Sequence, residues 1–267
     1  MSHRSGRTGP VAWDVHGGGP GAPLLLLHGV TDSGLCWAPL IDRWSGDREV
    51  LTVDLRGHGR SELPRETFAI TTLAGDVAAV LESVVGRPVL AMGHSLGGLV
   101  AHELALSKPH LVAGVILEDP AWSRDRAVDA DGVPDWLRPA LASYVGVTLG
   151  ELVARSRAAN PDWEDDEHAP WAASKLQVSQ ALADVPHAWA ERDWVETLDG
   201  VRVPVTLLTG DPGRGSIIDA AQVNRAQELL GPLLTHVAAS TGHSIRREAR
   251  GIVLRAVAEA QNAADQL

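Results

Sequence analysis

An α/β architecture, a mostly parallel sheet with helices on both faces, is the fold class this sequence predicts, and three observations predict it. Short, near-continuous apolar runs recur along the chain. Helical patterns separate them, which is the alternation expected when each strand is followed by a crossover helix. One long strand-free stretch interrupts this rhythm between the fourth run and the fifth, where an insertion into such a sheet would fall.

The runs Leu24–Leu27, Val50–Val53, Val89–Met92, Val112–Leu117 and Val203–Leu208 are apolar almost throughout, as strands buried on both faces are. Thr235–Ala238 is a weaker candidate for a last strand. Helical patterns cover Leu73–Val85, Leu96–Ser107, Ala220–Leu230 and Arg247–Ala260. From Ala121 to Leu198 there is no buried strand; Pro recurs, and six of the nine tryptophans (Trp122, Trp136, Trp163, Trp171, Trp189 and Trp194) lie there. The stretch reads as a largely helical insertion. The organisation is therefore a core of residues 1–120 and 199–267 with a cap of residues 121–198. Gly17 to Gly21 is glycine-rich, but no helix and no Lys-Ser/Thr follows it, so it is a loop or hairpin and not a phosphate cradle.

The 267 residues are 45% hydrophobic, enough for a large core in one domain with an insertion. A net charge of −11 and a pI near 5.4 disfavour nucleic acid and an anionic membrane as partners, since both require concentrated Lys and Arg. Cys36 is the single cysteine, which excludes an intrachain disulfide and a multi-thiolate metal site. The polar first ten residues do not read as a signal peptide, and the expected location is the cytoplasm. Glu164 to His168 is a run of adjacent acids after a proline, the pattern of a solvated helix start and not of spaced metal ligands; no metal site is expected.

The chemistry gathers in three motifs. Gly93-His94-Ser95-Leu96-Gly97 follows a strand and opens a helix. A serine hydroxyl is a weak nucleophile unless exposed and aimed at a base, and a strained strand-to-helix turn does this for Ser95. The helix start adds unpaired N–H groups beside a developing oxyanion. His28-Gly29-Val30 follows the first run and can supply a second donor, so the oxyanion hole is assigned to the N–H groups of Leu96 and Val30, with Gly29 as the fallback. His28 itself reads as a turn residue. Gly242-His243 follows the last strand, and His243 is the candidate general base. The loop Asp54 to Ser61 is shaped by Gly57 and Gly59, and its charges are read as local.

Together, HG-x, D-x-R-G-x-G-x-S, G-H-S-x-G and a late G-H resemble the α/β-hydrolase superfamily over nearly the whole chain. The resemblance implies an eight-stranded sheet with a helical cap after the sixth strand. It also implies a triad acid after the seventh strand, three residues past a glycine, where this sequence has Gly213. Asp211 comes early, and Asp219 looks like a helix cap. Some members of the superfamily, zearalenone-type lactonases among them, carry the acid after the sixth strand, which here ends Glu118-Asp119. Glu118 is the first choice for the acid, Asp211 the second, with Asp119 and Asp219 behind.

The resulting expectation is a cofactor-free serine hydrolase acting on a small-molecule ester or lactone, as a monomer or homodimer. The tryptophans, with Trp122, Trp136 and Trp189 assigned to the pocket, point to a hydrophobic or aromatic substrate, and together with an acid after the sixth strand, as in the lactonases that the chain resembles, to a bulky lactone. The alternatives are a hydrolase-like receptor with little turnover, and a cofactor-free haloperoxidase or C–C hydrolase on the same triad.

Overall fold

In the computed structural model, residues 2–64, 66–122, 128–189 and 192–264 are described. Eight strands form the main sheet: β1 (His3–Thr8), β2 (Val11–Gly17), β3 (Leu24–Leu27), β4 (Glu49–Asp54), β5 (Val89–His94), β6 (Val112–Glu118), β7 (Val205–Thr209) and β8 (Leu234–Ala238). Their spatial order is β1-β2-β4-β3-β5-β6-β7-β8. β1 pairs antiparallel with β2, and β2 antiparallel with β4, while every pairing from β4 to β8 is parallel.

Side chains alternate across a strand, so the apolar runs divide between two cores. Leu25, Leu27, Val53, Ala91, Val115, Leu117 and Leu207 face one cluster, together with Leu73 and Val77 of α2 (Ile70–Val80) and Leu99 and Val100 of α3 (Leu96–Ser107). Leu24, Leu26, Val50, Met92, Ile116 and Leu208 face the other, with Trp37, Leu40 of α1 (Ala38–Trp44), and Val253 and Val257 from the last helix. Each buried leucine is worth about 1.5–3 kcal/mol over an exposed one, so both faces hold the strand register.

The parallel strands lie where the apolar runs placed them. The sequence reading did not contain the β1–β2 hairpin or α1. β1 is a polar edge strand, His-Arg-Ser-Gly-Arg-Thr, exposed or half-exposed throughout, so it carries no run of apolar residues to mark it.

Between β6 and β7 lie α4 (Leu137–Ala142), α5 (Leu149–Ala159) and α6 (His168–Lys175) with several 3₁₀ turns. No strand of the main sheet occurs among the described residues of 121–198. A two-residue parallel pair, Phe68–Ala69 with His187–Ala188, ties this segment to the residues before α2. After β7 come α7 (Ala220–Leu230), capped by Asp219 in a capping box with Gln222, then α8 (Ile245–Glu248) and α9 (Arg250–Ala264). No helix among the described residues is long and apolar enough to cross a membrane.

Candidate active site

Ser95 sits between β5 and α3 with φ +53° and ψ −111°, a backbone conformation that is strained for any residue with a side chain. Its N–H donates to the Glu118 carbonyl at 3.0 Å, and its carbonyl accepts from Leu99 and Ala121, each at 3.2 Å. The turn is too tight for Cβ atoms at its ends. One at Gly93 would stand 2.1 Å from the Gly97 oxygen, and one at Gly97 would stand 2.2 Å from the Leu27 oxygen. Leu96 is the first residue of α3, so its N–H has no acceptor within the helix.

The loop after β3 lies against this turn. His28 is fully buried; its Nδ1–H donates to the Gly29 carbonyl (2.8 Å) and its Nε2 accepts the Leu55 N–H (3.0 Å). His58 likewise gives Nδ1–H to Arg56 and accepts the Thr31 N–H at Nε2. Burial lowers both rings below the usual histidine range, His58 to about 3, so they serve as neutral struts. They fix a loop in which Thr31 has φ +66°. Asp54 accepts from the Gly34 and Arg60 N–H groups, in keeping with a local role for that motif.

His243 gives its Nδ1–H to Asp119 Oδ2 at 2.6 Å, and Nε2 is the ring nitrogen left to face a partner. Asp119 is fully buried and also accepts from Ser216 Oγ (2.7 Å) and the Ile217 N–H (3.0 Å). His94 gives Nε2–H to the His243 carbonyl at 3.0 Å, with ring centroids 4.6 Å apart. Burial holds His94 well below the ordinary histidine range, so it is a neutral support for the His243 loop.

The expected pairing of Glu118 with His243 is corrected: the carboxylate at His243 is that of the next residue, Asp119. Glu118 closes β6 and keeps the strand alternation, sharing the face of Ile116 and pointing into the core under α8 and α9. There it accepts the Arg246 N–H (2.7 Å) and the Arg246 Nη1 (3.2 Å), all of it buried. Asp119 leaves the strand with φ +42°, and that turn carries its carboxylate over the sheet edge to His243. Asp211 is spent on the Gly213 N–H and Asp219 on the α7 cap.

A cavity of about 700 Å³ joins Ser95, His243, Gly29 and Val30. Trp136 lines it, but Trp122 and Trp189 do not hold the places assigned to them. They are 1% and 4% exposed and belong to the core, where Trp122 donates to His102 Nδ1 at 3.2 Å. Three of the six, Trp122, Trp189 and Trp194, are thus core packing. Sequence reasoning missed Asp32, Lys175 and Arg247, which also line the cavity. The available hint was Arg246-Arg247, two consecutive cations shortly after His243 in an acidic chain.

The profile of the alpha/beta hydrolase family matches residues 24–256, and the chain belongs to that family. Lipase LipV of Mycobacterium tuberculosis is 38% identical over 132 residues, 46% of this chain and 50% of the lipase. A non-heme chloroperoxidase of Streptomyces lividans is 28% identical over 210 residues, 71% of this chain and 74% of that protein. The esterase RhEst1 from Rhodococcus sp. ECU1013 has the same fold, with a TM-score of 0.76 at 25% identity over 98% of this chain and 99% of the esterase. The chain spans about half the length of several curated relatives that it matches.

Proposed function

We propose that the chain is a serine hydrolase that cleaves a carboxylic ester or lactone through an acyl-enzyme on Ser95. The observation that carries this reading is the juxtaposition of a strained serine turn with a His243–Asp119 pair on one cavity. His243 Nε2 takes the Ser95 proton as Oγ attacks the carbonyl carbon, and Asp119 stabilises the imidazolium that results. The tetrahedral oxyanion lies toward the N–H groups of Leu96 and Val30. Collapse of the intermediate releases the alcohol, which takes the proton from His243. Water then attacks the acyl-enzyme with His243 again as base.

The relatives named lipase and esterase support ester chemistry. With Trp122 and Trp189 in the core, the case for a bulky aromatic lactone rests on Trp136 and on the acid partner of His243, Asp119, standing directly after the sixth strand. Turnover of 4-nitrophenyl butyrate by the purified protein is the test. The native chain should hydrolyse it, and Ser95→Ala should retain less than about a hundredth of the rate. A folded native protein with no turnover of any ester or lactone in a broad panel would favour a receptor instead. Undiminished turnover in Ser95→Ala would rule out the serine mechanism.

A further inference from the structure

Charged side chains that the reaction above does not use stand on the wall of the same cavity. Asp32, in the loop after β3, accepts Lys175 Nζ at 2.5 Å and Arg247 Nη2 at 3.0 Å. These two cations come from the end of α6 and from α8, and their side chains are only 5% and 3% exposed. Burial alone would raise the Asp32 carboxyl, but Arg247, Lys175 and Arg246 outweigh it and hold the carboxyl well below its usual range.

Burying a cation costs several kcal/mol unless an anion matches it. Arg246 is matched by Glu118. Arg250 binds Asp166 at both oxygens and Glu167 at 3.0 Å. Glu167 accepts from Arg250 and lies 3.7 Å from Arg247 Nε, near enough for an ion pair but without a hydrogen bond to it. Lys175 and Arg247 therefore hydrogen-bond one carboxylate, Asp32, which Arg246 also approaches at 3.5 Å. The other acid on the cavity wall, Asp135, is exposed at the rim and solvated.

Lys175 spends its three N–H donors on Thr31 O, Thr31 Oγ1 and Asp32. Its contribution to the cavity is charge. Arg247 is different. Its Nε–H is buried without a hydrogen-bond partner among the described residues, and its guanidinium lies 4.8 Å from the Trp163 ring centroid. Contact with the indole restrains the guanidinium, whose planar fork suits a carboxylate. Trp136 and Ile217 supply an apolar wall in the same cavity for the chain between such a carboxylate and the carbonyl at Ser95.

We infer that Arg247, backed by Lys175, is a carboxylate-binding subsite, and that the substrate is an ester or lactone of an acid bearing a second, free carboxylate. The inference rests on the hydrolase reading above and sharpens it from a generic ester to an anionic one. It places two buried cations on the cavity wall of a protein of net charge −11, where they draw an anion toward one position.

Two substrates of equal chain length isolate the charge: mono-4-nitrophenyl adipate and 4-nitrophenyl hexanoate. The native enzyme should prefer the adipate ester by about tenfold or more in kcat/KM, with most of the effect in KM and a decline as salt rises. Arg247→Gln should bring the ratio near one, and Arg247→Lys should recover part of it. A native ratio at or below one, or a ratio that Arg247→Gln leaves unchanged, overturns the subsite. The Ser95→Ala protein, titrated calorimetrically with adipate and with hexanamide, gives an answer that needs neither turnover nor an Arg247 variant. Saturable binding of adipate alone supports the subsite, and no binding of adipate, or equal binding of both, overturns it. If neither ester is hydrolysed while Ser95→Ala still binds adipate, the subsite stands and the hydrolase reading falls.

Discussion

Replacing Asp119 by Asn removes one charge and almost no volume, and it tests which of two adjacent carboxylates serves His243. Asp119 is fully buried and His243 is 33% exposed, with Nδ1 and Oδ2 2.6 Å apart. Taking the charge centres as about 4 Å apart in an effective dielectric near 20, the attraction on a developing imidazolium is about 4 kcal/mol. That is roughly a thousandfold in rate, and the corresponding change in a serine protease costs about 10⁴. Asp119→Asn should therefore lower kcat for 4-nitrophenyl butyrate by about 10³ to 10⁴ and leave the protein folded. Glu118→Gln acts elsewhere, because it leaves Arg246 buried beside a neutral amide. Breaking a buried pair costs about 3–5 kcal/mol of stability. Its signature is a fall in thermal midpoint with kcat within about tenfold of native. The assay is kcat together with a thermal melt for each variant. The reasoning is refuted if Asp119→Asn keeps a tenth of the activity, or if a folded Glu118→Gln loses as much as Asp119→Asn does.

Three further outcomes follow from the same geometry. Gly97→Ala places a Cβ 2.2 Å from the Leu27 carbonyl oxygen and should cost about 3 kcal/mol or prevent folding, whereas Gly75→Ala, in α2 with open space around it, should stabilise by about 0.5–1 kcal/mol; urea melts of the two variants read this directly. Burial lowers His58 and His102 to about 3, so between that value and the unfolded value near 6.5 the unfolded chain binds more protons and stability falls as the pH falls. Each should cost about 2 kcal/mol between pH 7.5 and pH 5, and His102→Asn, which keeps an acceptor for Trp122, should remove its share; an unchanged pH-dependent loss would refute the assignment. Asp211→Asn and Asp219→Asn should change kcat by less than about threefold, since their side chains are engaged by the Gly213 and Gln222 N–H groups, and a loss near that of Asp119→Asn in either would contradict this.

Much of this protein was legible in one dimension. Runs such as Leu24–Leu27 and Val112–Leu117 are buried on both faces, and a doubly buried strand must be apolar at every position, so composition alone marked the parallel strands. The Ser95 turn was legible for a steric reason, because Gly93 and Gly97 are required wherever a strand turns so tightly into a helix. The polar edge strand β1 and the short helix α1 left no such trace. Asp119 was among the candidates for the carboxylate at His243, but the choice was not legible because Glu118 and Asp119 differ in sequence by one step, and only the positive φ at Asp119 sends its carboxylate over the sheet edge and not into the core. The tryptophans misled because their number reports burial without saying whether they pack against core or cavity. Asp32, Lys175 and Arg247 lie far apart along the chain, in the loop after β3, at the end of α6 and in α8. Their shared charge exists only after the sheet order and the inserted helices have closed on one another. Local periodicity encodes which residues are buried; which charges meet is decided by the packing of distant segments.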